Sequence, residues 1–186
     1  MDNERKMSIL TLQRELCKEI REITSDLQMK QPGSTELTAP RVFGQNLPIP
    51  RKKDEDIGYG DTDIPDEEDQ YGIGFLFPWI LVKLDLGNVS ASNERQRISV
   101  VLVIGVFDDD LEANGHERIV IIMERIMERF AKDPLLGGQI VAVPVDDDHM
   151  FRWSLQDEDT HPQYFGALEM AFEMPGFERE DYYGFA

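Results

Sequence analysis

The chain is short of cysteine, of positive charge and of long apolar runs, and each shortage removes a class of protein. It has one cysteine, Cys17, among 186 residues, which excludes an internal disulfide framework and a cysteine-rich zinc site. Lys and Arg total 19 against 37 Asp and Glu, a formal net charge of −18. A surface of that sign repels phosphate backbones, which speaks against sequence-specific or groove-binding roles on nucleic acid. A passive relation to DNA remains compatible, because a channel through which DNA slides must not grip it. The longest apolar run, Val100–Phe107, falls far below the roughly 20 residues of a membrane-spanning helix. The opening MDNERKMSIL is charged and has no secretory apolar core. No membrane association and an intracellular, reducing setting during synthesis are expected.

What is there is organised around Gln96–Phe130. Ile98, Val100, Leu102, Ile104 and Val106 alternate with Val101, Val103 and Phe107, so this strand is apolar on both faces and belongs in the middle of a sheet. Asp108–Asp110 end it. A helix follows, with Ile119, Ile122, Met123, Ile126, Met127 and Phe130 on one stripe. Asn114 and Glu117 have the spacing of a reciprocal cap, and Pro134 marks the end.

Around this unit the chain divides readily. Asn3 to about Gln28 reads as a helix, with Ile9, Leu12, Leu16, Ile20, Ile23 and Leu27 on its buried stripe and Cys17 beside it as a small core residue. Residues 29–72 form a long, acidic loop rich in proline and glycine, within which Val42-Phe43 and Leu47-Pro48-Ile49 are apolar anchors. The run Asp54, Glu55, Asp56, Glu67, Glu68, Asp69 is either a solvated loop or a segment that orders against a partner subunit; its spacing does not match a calcium loop. Gly74–Leu86 is a strand with Ile80, Val82, Leu84 and Leu86 on its apolar face and Trp79 and Leu81 on the other. Pro78 breaks its start, so pairing is expected to begin near Trp79, and it forms a hairpin with the central strand. Gln139–Leu155 is one long strand bent at Pro144 and Asp146–Asp148, and Tyr164–Met174 is the last. Residues 176–186 are an arm. The expected fold is α+β: a four-stranded mixed β-sheet with two main α-helices, in the order α-β-β-α-β-β, as a single domain whose core spans 73–175. The strands on either side of the second helix are expected to lie parallel through a right-handed crossover.

Chemistry has few footholds. Asp108, Asp109 and Asp110 with Asp146, Asp147, Asp148 and His149 could hold a divalent metal, as in a nuclease or phosphoesterase. Acids after strands are also ordinary turn residues. His116, His149 and His161 are scattered in polar turns, and no nucleophile elbow or phosphate loop has its required context. No cofactor is expected.

The succession WILVKLDLG, RISVVLVIGVFDDD, HERIVIIMERIMERFAKDPLLGG, IVAVPV, MFRWSL and YFGALEMAFEMPGFERED resembles the tail terminator, or tail completion, proteins of long-tailed bacteriophages and prophages, over roughly Pro40–Asp181. The resemblance implies a non-enzymatic α+β structural subunit that forms a homo-oligomeric, hexameric ring. Such a ring caps the tail tube and joins it to the head–neck proteins, so the subunit is in the host cytoplasm during assembly and at the tail–head junction of the virion afterwards. The long acidic insertion and the aromatic tail Tyr182–Phe185 depart from the simplest members. Another head–tail connector or minor tail component is the alternative within that class; the metal-dependent nuclease is the alternative outside it. In a ring, Trp79 and Leu81 on the hairpin, Phe151 and Trp153 on the bent strand, and the acidic run 54–69 are the candidate contacts with other subunits or the tube; for the four apolar residues burial in the subunit's own core is the alternative.

Overall fold

The computed structural model of the protein describes residues 8–48, 76–89, 95–111 and 114–176. The order of elements is helix α1 (Ile9–Thr24), strands β1 (Arg41–Gly44), β2 (Trp79–Val89) and β3 (Arg95–Phe107), helix α2 (Gly115–Lys132), and strands β4 (Leu135–Leu136), β5 (Ile140–Val143), β6 (Arg152–Leu155) and β7 (Gln163–Pro175). They build one seven-stranded mixed sheet in the order β1-β2-β3-β7-β5-β4, with β6 also paired to β7.

The four-stranded sheet expected from the sequence is therefore wrong in its count. The expected strands are present, but the sheet has three more pieces. β1 and β4 are too short to carry a hydrophobic period: four residues beside Pro40 and two beside Pro134. The third extra piece comes from a break. β5 and β6 lie end to end on the same edge of β7, with Val143 opposite Ala171 and Arg152 opposite Glu169. Nine residues advance on one strand against two on the other, so seven residues leave the sheet between them. The bend at Pro144 and Asp146–Asp148 is this excursion.

The strands on either side of α2 run in the same direction, as expected, but they are not neighbours: β7 lies between β3 and β5 and pairs antiparallel with both. Among the described residues the parallel neighbours are β1 and β2. β7, last in sequence, thus occupies the middle of the sheet, bonded to β3 along its whole length.

Both helices cover one face. Leu12, Leu16, Cys17 and Ile20 of α1 and Ile119, Ile122, Met123, Ile126 and Phe130 of α2 join Val42, Ile80, Val82, the even positions Ile98 to Val106, and Leu168, Met170, Phe172 and Met174 in one core. Phe130 meets Phe172 edge-on at 5.6 Å. Gly166 lets α2 approach: a Cβ there would stand 2.7 Å from Ile119 and Met123. Arg129 of α2 reaches Glu19 of α1 at 2.6 Å and ties the two helices together. Ser8 caps α1, its hydroxyl accepting from the Thr11 N–H. The reciprocal cap expected at α2 does not form; the Asn114 amide donates to the Glu117 carboxylate instead, at 3.3 Å. Among the described residues no helix is long and apolar enough to cross a membrane.

Candidate functional site

The two acidic clusters are the natural place to look for chemistry, and in each a cation of the chain already pairs with part of the cluster. At the end of β3, Asp108 is 5 % exposed. Its backbone N–H donates to the Pro162 carbonyl, and its carboxylate accepts from the Asp110 N–H at 3.1 Å. Lys30 then donates to Asp108 and Asp109 alike, both at 2.9 Å. A two-residue bridge between Met29 and Thr38 brings Lys30 there. The hydrogen bond from Lys30 holds the Asp109 carboxyl below its ordinary range, and the same two acids raise the lysine. An ammonium thus takes the position that a cation would need between the two acids.

In the excursion between β5 and β6, Asp146 is the hub. Its carboxylate accepts from the backbone N–H groups of Asp148 and His149, from the His149 ring at 2.8 Å, and from Arg152. The Asp148 N–H is the main reason the Asp146 carboxyl is lowered to about 2. Arg97, reaching across from β3, donates to the carbonyls of Pro144 and Val145 and closes the base of the loop. Asp108 stands beyond residue 163 of β7 and the loop leaves near residue 170. At about 3.3 Å per strand residue the two clusters are roughly 25 Å apart. The fold does not bring them to one metal, and no group of three metal-ligating side chains occurs among the described residues.

The second site expected from the sequence, the face of the sheet opposite the helices, is divided. At one end Trp79, Gly105 and Phe165 face one another across three strands. Gly105 has no side chain, and a Cβ there would sit 2.5 Å from the Trp79 ring. The rings of Trp79 and Phe165 therefore meet over it, with centroids 6.0 Å apart, and Phe77 completes a triangle at 5.8 and 5.9 Å. Leu81, Val103, Phe107 and Phe43 pack around them. Trp79 is buried in the chain's own interior, and its indole N–H has no partner among the described residues. At the other end the rows are charged: Arg95 pairs with Glu173 at 3.2 Å, and Arg152 with Glu169 at 3.8 Å.

The edges of the sheet are the third candidate. Two of them are stopped by arginines from the helices. Arg21 donates to the Val42 carbonyl of β1, and Arg129 to the Leu135 carbonyl beside β4. Beyond β1, Gln45 imitates a strand residue with its side chain: its amide oxygen accepts from the Leu84 N–H at 3.0 Å and its amide nitrogen donates to the Leu84 carbonyl at 3.4 Å. After Leu84 that protection ends. A bulge between Leu84 and Gly87 turns the strand, and Asp85–Val89 is exposed, with no outer strand among the described residues. Leu86, expected in the core beside Leu84, is 66 % exposed because the bulge breaks the alternation. On the opposite side, among the described residues β6 pairs with β7 alone, and its Trp153 is 59 % exposed. Phe151, its neighbour in the expected contact, is half-buried against the main core. Asp54, Glu55, Asp56, Glu67, Glu68 and Asp69 lie outside the described residues.

No protein-family model matches the chain, and no curated protein does.

The sequence pointed to Trp153 through its place in an aromatic strand. It did not point to Leu86 and Val89 as exposed residues. The one available signal was the Gly87-Asn88 pair, which breaks the strand pattern of Leu86 and leaves it without a facing partner.

Proposed function

We propose that this protein is an assembly subunit of a phage tail, a tail terminator or tail completion protein, acting as a ring at the junction of tail tube and head–neck. The observation that carries the reading is the contrast between acids and edges. Lys30 pairs with Asp108 and Asp109, and Arg152 with Asp146, so cations of the chain itself occupy the best-placed acids of both clusters. Large apolar side chains are instead exposed at two separate sheet edges, which suits contact with another chain. The order of hairpin, helix and strands from Trp79 to Pro175 supports the family resemblance. The charge of −18 per subunit suits a pore that passes DNA without binding it.

The test is tail length. Purified protein added to polymerising tail-tube subunits stops elongation and is found by electron microscopy at one end of each tube. Tubes that grow to the same uncontrolled length with and without it overturn the proposal. Hydrolysis of DNA or of a phosphate ester in the presence of magnesium or manganese, abolished by Asp108→Asn, would establish the nuclease reading in its place.

A further inference from the structure

We infer that copies of this chain join by strand addition, the open β2 edge at Asp85–Val89 of one copy pairing with the open β6 edge at Arg152–Leu155 of the next. The inference rests on the ring reading for its choice of a second copy as the partner.

The argument begins with hydrogen bonding. An edge strand presents N–H and C=O groups that only another strand satisfies in series. The Gln156 N–H donates to Phe165 of β7. By strand alternation residues 152 and 154 also turn their backbone groups to β7, and Trp153 and Leu155 turn theirs outward. Neither outward group has a partner among the described residues. β2 is equally open beyond Leu84, where the Gln45 side chain stops imitating a neighbour.

The protein closes its other edges with Arg21, Arg129 and Gln45, so the two that stay open are exceptions within one sheet. Neither Asp85–Val89 nor Arg152–Leu155 contains a proline or a lysine. Both also carry large exposed apolar side chains, Leu86 and Val89 on one and Trp153 on the other.

The two edges complement each other. Val89 lies opposite Gln96, and Trp153 opposite Leu168, so both belong to rows on the helix side. A continuous sheet places them on the same face, the one the helices cover. The two edges are on opposite sides of the subunit, separated by β3 and β7. A contact between unlike edges is heterologous, and repetition closes into a ring or extends as a filament; pairing like edges would stop at a dimer.

The experiment is mass by light scattering on the full chain, in about 0.15 M salt, where charges are screened beyond about 8 Å. It compares the wild type with Leu86→Lys and Trp153→Lys, both at exposed positions, with circular dichroism as the check of folding. Trp153→Pro is a second variant that removes an outward N–H and spares the bonds to β7. The wild type is expected to form a species several times the 21.4 kDa monomer. Each variant alone is expected to associate about 30-fold or more weakly and to run as a monomer. An equal mixture of Leu86→Lys and Trp153→Lys retains one intact pair of edges and is expected to give a dimer. Dimerisation of either variant alone overturns the pairing of unlike edges. A wild-type oligomer that survives both substitutions places the interface elsewhere and overturns the inference, while the tail-capping function stands. A wild type that is monomeric up to its solubility limit also overturns it, and tube-length control then tests the function by itself.

Discussion

The two faces of the sheet come from the same strands, one residue apart, and they obey different rules. On the helix side the rows from Ile80 and Ile104 to Phe172 and Met174 are apolar and buried, and exposure is confined to the edges, at Val89 and Trp153. On the other side the rows change character along the strands, from the Trp79–Phe165 aromatic end to the Arg95–Glu173 and Arg152–Glu169 pairs. The first face is set by burial against α1 and α2, which any apolar side chain of suitable size satisfies. The second depends on which particular residues meet, and on one glycine that lets two rings touch.

The sharpest break of this comparison is on the helix side. Phe172→Ala removes a fully buried ring packed on Phe130 and is expected to cost about 3–5 kcal/mol, read as a lowered denaturation midpoint at unchanged slope. On the far face Gly105→Ala drives a methyl into the Trp79 ring. It is expected to cost about 1–3 kcal/mol and to shift tryptophan emission to longer wavelength as the indole is displaced. Gly87→Ala, which meets nothing within 4 Å, is the matched control and leaves both readouts in place.

The acids sharpen the comparison further. Asp108→Asn weakens two bonds of a buried carboxylate and is expected to cost about 1–2 kcal/mol, measured by thermal unfolding; Asp109→Asn, at an exposed position, is expected to cost less. The smallest effect concerns pH. The Asp146 carboxyl is lowered to about 2 in the folded chain, chiefly by the Asp148 N–H, against about 4 in an unfolded one. Its contribution is complete above pH 4 and is lost as the pH falls through 2. Asp146→Asn is therefore expected to flatten the acid limb of stability between about pH 4 and pH 2, and hydrogen exchange at the Asp148 and His149 amides reads the effect locally.

Much of the fold was legible because burial leaves a period. The alternation of Ile98–Phe107, the stripe of α2 and the two-sided pattern of Tyr164–Met174 each report a face turned to the core, and all three elements stand where expected. Pieces shorter than a period leave no such mark. β1 and β4 are strands because β2 and β5 are there to pair with them, so a neighbour distant in sequence makes the element. The same holds for the sheet order: nothing in the residues of β7 states that it separates β3 from β5. Asp108–Asp110 and Asp146–His149 were readable as acids but not as separate clusters, because their spacing depends on the direction and register of β7.

By itself, then, the sequence determined the helix-side core, the two amphipathic helices and an acidic surface, all consequences of local period and composition. Tertiary structure alone decided that Lys30 neutralises Asp108 and Asp109, that Trp79 closes on Phe165 over Gly105, and that Arg21, Arg129 and Gln45 seal some edges and leave β2 and β6 open. Each of these depends on a meeting between residues far apart in the chain, and a linear pattern carries no record of which distant groups the folded backbone brings within a hydrogen bond of one another.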